Sequence, residues 1–269
     1  MGSTGAWRSR SSGSTPTFSP RPSTTTSSTS GVGAAPTSQA TARGNVQGQW
    51  LSDADVVAMR GEMGQTGLEA GDPNASPQKK VYVKTSKAFN INAYLNSDGK
   101  TIHSKESDWD NLGYTKSDVE AAIRQIDAGM KPLSRDIKVS RFVGGSSLEK
   151  MFGLKFRDSN QMRAFIDKLD SNSSMQSTFK DVLQATSYTH KAYTSTTTQP
   201  SHPSFGDRAV RIDISMKKGT PAIMTSNIAE HEVLAGRGLS YNFDGKFHIE
   251  TVTDSRGNKK KQLVIEAYV

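Results

Sequence analysis

The sequence contains no cysteine among its 269 residues, which excludes a disulfide framework, a thiolate metal site and a cysteine nucleophile. It has no acidic residue before Asp53 and hardly a large aliphatic side chain over that stretch. A segment such as SSGSTPTFSPRPSTTTSSTSGVGAAPTSQATARG cannot bury enough apolar surface to offset the entropy of ordering it. Residues 1–50 are therefore expected to form a disordered, basic tail. No apolar run approaches membrane-spanning length, and the N-terminus lacks a basic segment followed by an apolar core, so neither an anchor nor a signal peptide is expected. The 5 histidines are scattered, and no metal site is expected.

What is present is a basic chain, with a formal net charge of +8. Such a charge assists encounter with acidic partners, nucleic acid included, without specifying an activity. The arginine-bearing tail and Lys259-Lys260-Lys261 are what a nucleic-acid binder would use. The triplet falls in an expected hairpin turn, however, and no nucleic-acid motif accompanies it. Residues 51–80 read as a short helical piece followed by a Gly/Pro/Asn linker, and the folded domain is expected over residues 81–269.

Within that domain the periodicity changes along the chain. Ser117 and Glu120 suggest a capping box, Val119, Ala122, Ile123 and Ile126 follow at helical spacing, and Gly129 stands at the expected end. Met162, Phe165, Ile166 and Leu169 form a second helical stripe, read as core. Beyond Tyr193 the period becomes two: Val210, Ile212 and Ile214 alternate with Arg211, Asp213 and Ser215, and Lys218-Gly219 forms a turn. KFHIETV and QLVIEAYV flank DSRGNKK as a hairpin. Helices first and strands later predict an α+β fold with a mixed, largely antiparallel sheet.

Three places break the structural pattern. Glu230 and Glu232 stand one residue apart, and if Glu232 opens a strand both carboxylates point to one side. Alone, this spacing recurs by chance. In DIKVSRFVGG, Arg141 interrupts the stripe Ile137, Val139, Val143, and a guanidinium that cannot deprotonate must find an anion or reach water. The run KAYTSTTTQP places β-branched hydroxyl residues after an aromatic, which is ordinary strand chemistry by itself.

In this order the three resemble the mono-ADP-ribosyltransferases of the arginine-serine-glutamate type. The similarity spans most of residues 81–269, including KAFNINAYLN, and is best in RAVRIDISMKKGTPAIMTSNIAEHEVLAGRGLSYNF. The resemblance implies a two-sheet core with N-terminal helices and NAD as co-substrate. It also implies a protein acceptor bearing an arginine, since glutamate rather than glutamine stands at Glu230. By this resemblance Arg141 holds the NAD phosphates and the Phe142 backbone meets the nicotinamide amide. Ser195 orients the catalytic Glu232, Thr196 lies beside it in the cofactor site, and Glu230 serves the acceptor. Phe205 and Arg208 fall where the family has an aromatic near the nicotinamide and an arginine near the phosphates. Thr197 replaces the last serine of the Ser-Thr-Ser motif, and Asn227 stands where arginine-specific relatives have an aromatic.

The residue types suit that chemistry. Cleaving the nicotinamide–ribose bond builds positive charge on the sugar, which a carboxylate at Glu232 would stabilise. A guanidinium is a poor nucleophile while protonated, so a second carboxylate at Glu230 would orient it and help remove its proton. Other readings remain open: transfer to another acceptor or to nucleic acid, NAD hydrolysis, or a non-catalytic protein on a decayed scaffold. By analogy the setting is a phage or bacterial effector acting in the cytoplasm of a host cell after delivery, with no membrane partner.

Overall fold

The computed structural model of the protein describes residues 48–65, 87–101, 115–201, 205, 208–224, 231–254 and 256–269. The expected tail lies outside the described residues except for its last three positions. Six helices are described: α1 (Asp53–Glu62), α2 (Lys87–Asn96), α3 (Lys116–Gly129), α4 (Gly145–Phe152), α5 (Ser159–Ser171) and α6 (Ser173–Gln184). The strands are β1 (Lys131–Pro132), β2 (Ile137–Val143), β3 (Ser187–His190), β4 (Thr194–Thr197), β5 (Val210–Met216), β6 (Pro221–Met224), β7 (Glu232–Ala235), β8 (Leu239–Asn242), β9 (Phe247–Thr253) and β10 (Lys259–Tyr268).

The strands follow the order β1-β6-β7-β4-β2-β5-β10-β8-β3, with β9 on β10. Among the described residues only β5 and β10 pair as parallel strands, and the other strand pairs are antiparallel. Two half-sheets, β1-β6-β7-β4 and β2-β5-β10-β8-β3, are joined through a single register pair, Ser140 with Thr197. The site is built around that junction.

The first half-sheet is covered on both faces. Ala222, Met224, Val233 and Ala235 join the main core, which holds the buried faces of α1, α4, α5 and α6, while Ile223 and Leu234 join a second cluster with Tyr193, Ile91 of α2 and the apolar stripe of α3. This division is the period-two alternation of a strand read on its two sides. The stripe Met162, Phe165, Ile166, Leu169 is buried on α5 as its spacing predicts.

Local details differ from the sequence expectation. The N-cap of α3 is Thr115, not Ser117: the Thr115 side chain accepts from the Asp118 backbone N–H, and the Asp118 carboxylate accepts from that of Thr115 at 2.8 Å. Both Thr-x-x-Asp and Ser-x-x-Glu fit a capping box, and Glu120 instead accepts from the Tyr94 hydroxyl at 2.6 Å. Lys259, Lys260 and Lys261 are not in the hairpin turn but in β10, opposite Thr253, Val252 and Thr251. Lys260 pairs with Asp254, and Lys261 lies 2.8 Å from Asp170, so two of the three charges have nearby carboxylates. The helical piece expected ahead of the domain is α1. It buries Val56 and Met59 in the main core, with Met63 just beyond its end, and Gln49 bridges Ile137, so the packed unit reaches N-terminal of Val81.

Candidate active site

Ser195 is exposed between buried neighbours on β4, and its Oγ donates to Glu232 Oε1 at 2.6 Å. Glu232 is only 7% exposed and opens β7, opposite Thr197. A buried carboxylate needs such donors, and a short hydroxyl-to-carboxylate bond fixes its orientation. Thr196, one residue on, faces the other way: its Oγ1 donates to the Val233 carbonyl at 2.7 Å and clamps β4 to β7.

The approach to Glu232 is shaped from outside the sheet. His231 adopts φ 44°, a conformation uncommon for residues other than glycine, and its carbonyl accepts from Thr198 N–H at 3.0 Å. Strand alternation therefore begins at Glu232 and does not extend back through His231. His231 Nδ1 lies 3.3 Å from Asp53 at the start of α1. Gln65, just beyond α1, donates to the Ala222 carbonyl at 3.1 Å and accepts from Met224 N–H at 2.9 Å. The N-terminal segment thus contacts β6 and the residue before β7. Glu230 and Asn227 lie outside the described residues.

Phe142 follows Arg141 on β2 and has the side-chain parity of Ser140, hence of Thr197, Glu232 and Ser195 across the register. Its ring stacks on Phe205, with centroids 6.4 Å apart and planes at 27°. Phe205 remains 39% exposed, so an aromatic platform lies on the same side as the Ser195–Glu232 pair. Arg208 is exposed; its N–H donates to the Phe205 carbonyl at 3.0 Å, and it lines a cleft with Gly144 and Gly145 at the start of α4 and with Arg163 of α5.

Arg141 has the opposite parity and is not brought onto Glu232. It lines a cavity of about 170 Å³ with Asn92 and Asn96 of α2, Lys150 of α4, Tyr188 and His190 of β3, and Tyr241 of β8. Among the described residues two cations and no carboxylate line this space. His190 reports that field: burial, reinforced by Arg141, pushes its pKa down to about 4. Such a cavity suits a diphosphate, which cations and amide donors can hold. One hydrogen bond ties it to the strand of the Ser195–Glu232 pair, since the Tyr241 hydroxyl donates to Thr194 Oγ1 at 2.8 Å and Thr194 directly precedes Ser195. Asn92, Asn96, His190 and Tyr241 were missed in the sequence because amide, imidazole and phenol groups on separate elements share no spacing. Among the described residues no cluster of His, Asp or Glu is arranged to hold a metal.

The family model of the ADP-ribosyltransferase exoenzymes matches residues 73–269. The chain belongs to that family. Its members use NAD as co-substrate, in keeping with a carboxylate beside an aromatic platform and a cationic cavity nearby. Solved structures similar to the chain include the ADP-ribosylating toxin BECa of a C. perfringens binary enterotoxin with NADH, at 23% identity and a TM-score of 0.58 over 82% of this chain and 49% of that one. C3stau2 from S. aureus with NAD is similar at 17% identity and a TM-score of 0.55, over 82% and 97%. The enzymatic component C2-I of the Clostridium botulinum C2 toxin matches at 17% identity and 0.53, over 81% and 47%. The chain thus spans about half the length of BECa and C2-I. At these identities the likeness establishes the shared fold. No curated protein is significantly similar to the chain in sequence.

Proposed function

We propose that the protein transfers ADP-ribose from NAD to an arginine side chain of a target protein and releases nicotinamide. The observation that supports this best is the Ser195–Glu232 hydrogen bond of 2.6 Å, which holds a buried carboxylate on the side of the sheet bearing the Phe142–Phe205 stack.

In this reading the nicotinamide lies against the aromatic platform, and the diphosphate is held by Arg141 with help from Arg208. The bond between the nicotinamide nitrogen and ribose C1′ breaks with its electron pair leaving on nicotinamide. Glu232, fixed by Ser195, stabilises the positive charge that develops on the sugar. A guanidinium nitrogen of the acceptor then bonds to C1′ and loses a proton to Glu230. Arginine as acceptor rests on Glu230 in the sequence. In this reading the protein acts in a host cell after delivery from a phage or a bacterium, a setting taken by analogy and supported by the toxin-like family. Retention of Arg141, Ser195, Glu230 and Glu232 together argues against a decayed scaffold.

Incubation with labelled NAD and a bacterial lysate, followed by mass spectrometry of the modified peptides, tests the acceptor. The expected result is ADP-ribose on arginine, lost in Glu230→Gln while nicotinamide release persists. Modification of another residue type or of nucleic acid, or transfer unaffected by Glu230→Gln, would refute the arginine assignment.

A further inference from the structure

Arg211 is 6% exposed in the interior strand β5, where a guanidinium must satisfy its donors within the protein. Nε and one terminal nitrogen grip Asp213 as a fork, at 2.9 and 3.2 Å from its two oxygens. The other terminal nitrogen donates to Glu250, to Gln262 Oε1 at 3.2 Å, and to the backbone carbonyl of Pro200 at 2.8 Å. Ser140 Oγ donates to Asp213 at 2.8 Å, and Gln262 Nε2 donates to the carbonyl of Arg208 at 2.8 Å.

The two backbone carbonyls are the informative partners. Apolar residues of similar volume often stabilise a core as well as a buried ion pair does, so packing alone gives no reason for this arrangement. The carbonyls of Pro200 and Arg208, however, which bracket Phe205 in the sequence, receive donors brought to them from the sheet. Arg211 reaches Pro200 directly and Arg208 through Gln262. The Phe205 ring stacks on Phe142, and Phe142 is the cross-strand partner of Arg211. One buried side chain therefore stands behind Pro200, behind Arg208 through Gln262, and behind the ring on which Phe205 rests.

We infer that Arg211 and Gln262 are positioning residues that hold the Pro200 and Arg208 backbone, and with it Phe205 and Arg208, in the geometry that binds NAD. The role rests on the NAD-dependent function proposed above. It concerns affinity for NAD more than the rate of bond cleavage, since neither residue touches the Ser195–Glu232 pair.

Gln262→Met tests this in the full-length protein, because it removes the Arg208 tether at similar volume without leaving a buried charge unpaired. Arg211→Lys is the companion variant, keeping the charge without the fork. NAD affinity by calorimetry, KM and kcat for nicotinamide release, and the rate of tryptic cleavage after Arg208 in NAD-free protein are compared with wild type. Loss of the tether should raise Kd and KM for NAD about tenfold, as for one lost hydrogen bond, with kcat within about twofold and faster cleavage after Arg208. Gln262→Met that matches wild type in NAD affinity would overturn the role, as would a fall in kcat at unchanged KM. A wild type that binds no NAD would overturn the functional reading and this role with it. NAD binding that is equal in wild type and Gln262→Met overturns the role alone.

Discussion

Ser195 is the exposed residue in a run of buried hydroxyl side chains: Thr194, Thr196, Thr197 and Thr198 are each under a tenth exposed. Thr194 and Thr196 bond to other strands, whereas Ser195 bonds to Glu232, so one residue type serves two purposes separated by the alternation of the strand. Ser195→Ala removes the donor that orients Glu232 but leaves those two bonds in place. It should lower kcat for nicotinamide release by about 10- to 100-fold, the cost of a misplaced catalytic group, with little change in thermal midpoint. Activity equal to wild type would deny Ser195 its orienting role. That Ser195 and Glu232 meet was legible, because the motif order puts hydroxyl and carboxylate on neighbouring strands. Arg211 with Asp213 was not: their alternation with Val210, Ile212 and Ile214 looks like any half-exposed strand. Their burial depends on Pro200, Glu250 and Gln262, brought in from distant parts of the chain.

At the scale of elements, β3 and β8 wall the Arg141 cavity, and His190 at the end of β3 makes that wall sensitive to pH. Its Nδ1 lies 2.9 Å from the Ala192 carbonyl oxygen and 3.1 Å from the Ala192 nitrogen, donating to the first or accepting from the second according to the tautomer. The folded pKa of about 4 lies below the unfolded value near ~6.5. The unfolded state therefore takes up the proton first, and stability that is complete above about pH 6.5 is lost as pH falls towards 4. The unfolding midpoint should drop between pH 7 and pH 5, and His190→Asn, which keeps a nearby acceptor but does not titrate, should flatten that slope. Equal slopes would show that His190 does not titrate as described. Helix α3 was legible in its apolar stripe but not in its cap, where two overlapping signals competed and the Tyr94 hydroxyl claimed Glu120. The lysine triplet was misplaced for a related reason: turn composition does not reveal that the turn closes at Asp254, whose carboxylate accepts from the Arg256 and Asn258 backbone N–H groups.

Over the whole molecule, the half-sheets meet at Ser140 and Thr197, and each side of that junction offers something different. One side carries the carboxylate and the aromatic stack, and the other opens on the cationic cavity, with α2 reaching both through Ile91 in the second cluster and Asn92 and Asn96 at the cavity. The sequence announced strands such as β2, β5, β9 and β10 but not the single-pair junction of the half-sheets, since register across non-consecutive strands leaves no local trace. The docking of α1 was likewise hidden: its short apolar face is ordinary until Val56 and Met59 join the main core, while Asp53 reaches His231 and Gln65, beyond the helix, bonds to β6. Among the described residues no helix is long and apolar enough to cross a membrane. The central claim is that Glu232 stabilises the sugar as nicotinamide leaves, and the direct measurement is nicotinamide release from NAD by the wild type and by Glu232→Gln at matched folded concentration. The account predicts release by the wild type and a loss of about 10²- to 10³-fold in the variant, with the fold intact. A folded wild type that releases no nicotinamide, with or without an arginine-bearing acceptor, or a Glu232→Gln variant as active as the wild type, would contradict it.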